Sequence, residues 1–154
     1  MRHSLTTEIE IEAPPEVVWG VLIDLDSYED WNPFISESAG EVVVGERLTN
    51  RMTPPDGKAV RFRPTVTEVD EAHTFEWFGR LGVPGVFDGR HRFELAKTAT
   101  GTRVVHSEQL NGILVRPMRR SLDSKTMAGF IAMNEALRDR AEAMVRADDS
   151  SVAS

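Results

Sequence analysis

Near the N-terminus the apolar residues recur at every second position, and toward the C-terminus at every third or fourth. That contrast decides most of what the chain can become. From Leu5 to Glu12, Leu5, Thr7, Ile9 and Ile11 fall on one side of an extended chain and Thr6, Glu8, Glu10 and Glu12 on the other, the pattern of a strand with one buried face. From about Arg116 to Ala147 the spacing is helical, with Pro117 near the start. Met127, Phe130, Ile131, Leu137, Ala141, Met144 and Val145 form an apolar stripe there, opposite Lys125, Glu135, Asp139, Arg140 and Glu142. No other segment offers a comparable face, so this helix must lie on a sheet.

Between these ends the period changes twice. At Ala13-Pro14-Pro15-Glu16 it becomes helical, with Val17, Val18, Val21, Leu22 and Leu25 behind prolines suited to a first turn. A second short helix, capped by Asp26 or Ser27, is expected to stop before Pro33, which leaves Trp31 and Phe34 on a turn. The spans 45–53, 59–69, 74–80, 86–96 and 102–110 then read as strands, rich in β-branched and aromatic residues and separated by Pro/Gly/Asp-rich breaks. Short breaks imply an antiparallel meander. The order strand, two short helices, meander, long helix fits a cystatin-like cone or a lipocalin less well.

At 154 residues the chain suits one domain, expected over residues 1–147 with residues 148–154 as a disordered tail. It has no cysteine, so disulfides, thiolate metal sites and a thiol nucleophile are excluded. A net charge of −7 argues against a nucleic-acid partner and against docking on anionic lipid. The N-terminus carries no apolar run of the kind found in signal peptides, so no membrane insertion and a cytoplasmic location are expected.

Several stretches now resemble a known family. The opening Ile9-Glu10-Ile11-Glu12-Ala13-Pro14-Pro15-Glu16-Val17-Val18-Trp19, then Asp24, Tyr28 and Trp31-Asn32-Pro33-Phe34, are similar to the START-like SRPBCC superfamily. So are Phe75-Glu76-Trp77, Gly89-Arg90-His91-Arg92-Phe93, Gly101-Thr102-Arg103, His106-Ser107-Glu108 with Leu110-Asn111-Gly112, and Met133-Asn134-Glu135-Ala136-Leu137. The polyketide cyclase/dehydrase and lipid-transport branch is the nearest within it. The resemblance spans roughly residues 5 to 147. It implies an α+β helix-grip fold: a seven-stranded curved antiparallel sheet around the C-terminal helix, two short helices after the first strand, and a cavity between sheet and helix. Members of the superfamily include ligand carriers, cyclases and chaperone regulators, so fold does not decide function.

The residues that can carry chemistry lie on the last hairpin. A loop of Thr98 to Gly101 sets Leu95 opposite Val104, Phe93 opposite His106 and His91 opposite Glu108, all on the inward face; a loop one residue longer would set Phe93 opposite Val105 and turn that set outward. Inward-facing, His91, His106 and Glu108 would be a polar patch at the core edge, an anchor for a ligand, or, in an enzyme, the catalytic acid and base. No metal is expected there and no cofactor is implied. Asn134 falls in the middle of the apolar stripe, where an amide must find partners. Trp31, Phe34, Phe62, Trp77, Phe87, Phe93, Met127, Phe130 and Ile131 complete the expected ligand-binding set, with Trp31 and Phe34 at the entrance. The segment Leu81-Gly82-Val83-Pro84-Gly85-Val86 is expected to fold back onto its own sheet, with gating of the cavity mouth as the alternative, and the cationic run Arg116-Pro117-Met118-Arg119-Arg120 to be a solvated helix start, with a clamp for a carboxylate or phosphate at the mouth as the alternative. Three functions remain open: binding of a small hydrophobic molecule (lipid, polyketide or aromatic metabolite), aldol cyclisation and dehydration of a polyketide in the same cavity, or a protein-interaction module. The chain would act as a monomer or homodimer.

Overall fold

The computed structural model describes residues 2–55 and 57–152. Strand β1 (Arg2–Ile11) leads into helix α1 (Pro15–Ile23), a short 3-10 turn (Leu25–Ser27) and helix α2 (Tyr28–Trp31). Seven further strands follow: β2 (Ile35–Ala39), β3 (Thr49–Met52), β4 (Val60–Phe62), β5 (Thr65–Asp70), β6 (Thr74–Arg80), β7 (Asp88–Lys97) and β8 (Thr102–Asn111). The chain closes with α3 (Val115–Ser121), a π turn (Leu122–Thr126) and α4 (Met127–Val152), which packs on β1 and α1.

The result is the α+β helix-grip arrangement, with a curved antiparallel sheet and a long last helix. Among the described residues the strands number eight, in sheets ordered β1-β8-β7-β6-β5 and β2-β3-β4. Backbone bonds from Gly45 and Leu48 to Val66 and Pro64 tie the two together. Two local causes raise the count from the six spans read as strands in the sequence, where the resemblance implied seven. Pro64 has no N–H to give a ladder, so the span expected as one strand over 59–69 breaks into β4 and β5. Ile35–Ala39, passed over in the sequence, forms β2 because the Asn32 side chain accepts bonds from the Phe34 and Ile35 amides and turns the chain into the sheet.

The last helix also departs from expectation. Its first part is interrupted by the π turn, where the Ser124 hydroxyl bonds back to the Arg120 carbonyl and His3 of β1 holds Asp123 at 2.6 Å. It then continues through Asp148 to Val152, where a disordered tail was expected, because no Gly or Pro stops it; Ala153 and Ser154 of that tail lie outside the described residues. Among the described residues no helix is long and apolar enough to cross a membrane.

The core lies between β1, β8, β7 and β6 on one side and α1 and α4 on the other. Leu5, Ile11, Phe75, Phe93, Leu95, Val104, Phe130 and Leu137 are all buried there. On the opposite face of the sheet Arg92 bridges Glu68, Glu76 and Glu94, and Arg90 also reaches Glu76. These bonds outweigh the burial of the Glu76 carboxyl and hold its pKa below the ordinary value.

Candidate functional site

The register of the last hairpin is set by the turn Thr98 to Gly101, closed by the Thr98 amide bonding the Gly101 carbonyl. Lys97 consequently pairs with Thr102, Leu95 with Val104, Phe93 with His106 and His91 with Glu108. His91 and His106 are buried; the Glu108 side chain is 13% exposed.

These residues form one chain of contacts through the core. His91 Nε2 lies 2.6 Å from His106 Nε2, and His106 Nδ1 lies 2.8 Å from Asn134 Oδ1. Asn134 Nδ2 donates to the Thr7 hydroxyl, which donates in turn to the His106 carbonyl. Each imidazole is also held by a ring: Trp77 stacks on His91 at 4.5 Å between centroids and Phe130 on His106 at 4.2 Å. The planes of both rings are therefore fixed, and with them the direction of each nitrogen.

Burial, and after it the neighbouring His91, push the His106 pKa well below the ordinary imidazole value of 6.5, with the Asn134 bond opposing. His106 is thus neutral in the fold. The unfolded chain takes up a proton at His106 below about pH 6.5, the folded chain only at much lower pH, so between the two the unfolded state binds more protons. Stability is expected to fall as pH drops below 6.5, by up to about 1.4 kcal/mol per pH unit for this one group. Urea midpoints measured at pH 7.5 and about pH 5.5 check this. The drop should shrink in His106→Gln, and an equal drop in both proteins would contradict the assignment.

Beside this chain a cleft of about 150 Å³ opens between the β3–β4 hairpin, the β6–β7 connection and the helical segment before α4. Phe62, Trp77 and Phe87 form its apolar walls, Met118, Leu122 and Thr126 of α3 and the π turn cover it, and Glu108 is its carboxylate. The π turn thus lies over the cleft, a place where such turns recur in functional sites.

Of the residues expected from the sequence, Phe62, Trp77, Phe87 and Glu108 line the cleft. His91, Phe93, His106, Phe130 and Asn134 lie in the closed core. Phe34, expected at the entrance, is 1% exposed with its ring edge-on to Phe130, because the Asn32 turn folds it inward. Trp31 packs edge-on to Tyr28 at the end of α2, and neither it nor Met127 is among the cleft residues. Ile131 is 47% exposed: the buried stripe runs through Phe130, Asn134, Leu137 and Ala141, one helical position away.

The sequence reading missed Gly79 and Gly89, which pair across β6 and β7 and line the cleft together. Two glycines inside strands are the signal that was available, since an absent side chain marks close approach of something else. Leu81 of the apolar connection borders the cleft, whereas Val83 is 65% exposed. Arg116, Arg119 and Arg120 are exposed on α3.

A family model described as polyketide cyclase / dehydrase and lipid transport matches residues 2–146. Among solved structures the chain is similar to the Zhui aromatase/cyclase from Streptomyces sp. R1128, at 18% identity and a TM-score of 0.79 over 96% of this chain and 98% of that one. It is also similar to the di-domain ARO/CYC StfQ from the steffimycin biosynthetic pathway, at 13% identity and a TM-score of 0.77 over 94% of this chain and 52% of that one. Protein MLL2253 from Mesorhizobium loti matches at 22% identity and a TM-score of 0.69, over 91% of this chain and 97% of that one. No curated protein matches the chain. At these identities the likeness is one of fold.

Proposed function

Because the chain belongs to the polyketide cyclase/dehydrase and lipid-transport family, we propose that it binds a small, mostly apolar molecule in the cleft under Leu122 and Thr126. The observation that carries this is the lining: aromatic and aliphatic walls converge on the carboxylate of Glu108, with Arg80 at the rim. Apolar walls with few polar groups are what a small-molecule site requires. About 150 Å³ of open volume holds a body of one or two fused rings and not a long chain.

Equilibrium dialysis against naphthalene tests this directly. Saturable binding is expected in the native protein. Gly79→Leu should abolish it, because its side chain would start 3.4 Å from Phe62 and Pro64 and fill the cleft. Far-UV circular dichroism checks that the variant remains folded. Absence of saturable binding in the native protein would overturn the proposal.

One observation favours a second reading, proton transfer on the bound molecule: Nδ1 of His91 is buried, unpartnered and directed at Glu108. Two of the similar structures are named aromatase/cyclase or ARO/CYC. Under this reading His91→Gln abolishes turnover of a substrate and leaves its affinity in place, whereas for a carrier only affinity changes.

A further inference from the structure

The buried chain dictates where its protons lie. Asn134 gives Nδ2–H to Thr7, so its Oδ1 accepts from Nδ1–H of His106. Neutral His106 is then left with a lone pair at Nε2, and the 2.6 Å contact requires His91 to donate from its own Nε2. The remaining nitrogen of His91, Nδ1, is sealed from water and has no hydrogen-bond partner. Glu108 faces it at 3.8 Å, beyond hydrogen-bond distance. A lone pair facing a carboxylate repels it, so the two attract only with a proton on one of them. The carboxyl has room to turn, because it lies over the bare backbone of Gly89: a Cβ there would sit 2.7 Å from Glu108 Oε1.

We propose that this floor is built for a hydroxyl. Resting on the cleft reading above, the ligand is a neutral molecule whose apolar body lies between Trp77, Phe62 and Phe87 and whose hydroxyl donates to Glu108, the carboxylate of the cleft lining to which the buried His91 gives no hydrogen. With the His91 proton at Nε2, Nδ1 and the carboxylate are both acceptors, and a ligand hydroxyl gives Glu108 the donor it lacks. A carbonyl oxygen has no proton to give it. A hydrocarbon leaves the carboxylate unpaired, and a ligand carboxylate is repelled by it.

Equilibrium dialysis of the full chain with naphthalene, 2-naphthol and 2-naphthoate tests this at neutral pH. The native protein should bind 2-naphthol about ten-fold more tightly than naphthalene, with 2-naphthoate weakest. Glu108→Met should bring 2-naphthol and naphthalene to equal affinity while naphthalene binding persists. Gly89→Ala, which displaces the carboxylate with the rest of the floor intact, should reduce the preference as well. Thermal melts establish that each variant is folded. Equal binding of the first two compounds by the native protein overturns the hydroxyl assignment and leaves the cleft reading standing. A preference that survives in Glu108→Met, or tightest binding of 2-naphthoate, does the same. If none of the three binds, the cleft reading fails and the assignment falls with it.

Discussion

Replacing Asn134 with leucine is expected to remove ~2–4 kcal/mol of stability, although leucine suits a helix core better by size and polarity. The amide serves two partners in a place that water does not reach, accepting from His106 Nδ1 at 2.8 Å and donating to Thr7 at 2.8 Å. Leucine leaves the His106 N–H with no acceptor. Moving that proton to Nε2 requires His91 to shift its own proton to Nδ1 as well, and it leaves His106 Nδ1 as a buried acceptor with no donor. Ring rotation is blocked by Phe130, stacked at 4.2 Å and 12°. The loss therefore includes an orphaned buried ring nitrogen as well as two bonds, and urea unfolding at pH 7.5 measures it. Thr7→Ala, which removes only the far end of the chain, should cost less, about 1 kcal/mol. A change below about 0.5 kcal/mol in Asn134→Leu would show that the network contributes nothing to folding.

A second large effect is expected at Gly129, where alanine should destabilise the protein by ~1–3 kcal/mol despite a helix-propensity gain of ~1 kcal/mol. A Cβ at this position would lie 2.3 Å from Phe34 Cδ1 and 2.5 Å from Cε1, inside the contact distance of any two carbon atoms. Phe34 cannot swing outward, since it is 1% exposed and its ring stands edge-on to Phe130 at 5.5 Å. The cause is separable by a double-mutant cycle. In a Phe34→Leu background, where the smaller side chain frees the space beside α4, Gly129→Ala should become neutral or stabilising. If alanine is equally damaging in both backgrounds, the contact with Phe34 is not the reason for the glycine.

How far the sequence reaches is clearest at the last hairpin. The loop from Thr98 to Gly101 leaves one register that buries Phe93, Leu95 and Val104 together, and that register puts His91 opposite Glu108. A period of two left the longer loop open as an alternative, and the bond from the Thr98 amide to the Gly101 carbonyl decides against it. Asn134 was legible in the same way, as an amide in an apolar stripe that had to find a partner. Its partner was not, because which of the two histidines stands under it depends on how the helix crosses the sheet. Pro64 gave a local signal that a strand would break, and Gly79 with Gly89 gave a weak one. The π turn has no comparable signature: Leu122-Asp123-Ser124-Lys125-Thr126 reads as ordinary helix, and the widening depends on bonds made elsewhere, such as that between His3 and Asp123. Ile131 shows the limit of a stripe drawn by apolar residue type alone, since a neighbour one position from Phe130 looks inward on the sequence and faces solvent in the fold.

The facing glycines of β6 and β7 make the cleft a quantity that selection or design can adjust in steps. A side chain added at Gly79 first meets the flexible ring of Phe62 and the edge of Pro64 at ordinary contact distance, so it trims depth and leaves the acid untouched. A side chain added at Gly89 meets the Glu108 carboxylate first, so it re-aims the acid before it consumes much volume. Size and polarity of the occupant are thereby governed by different positions on adjacent strands. A lineage built on this scaffold can change one without changing the other, and without disturbing the histidines and the amide beneath.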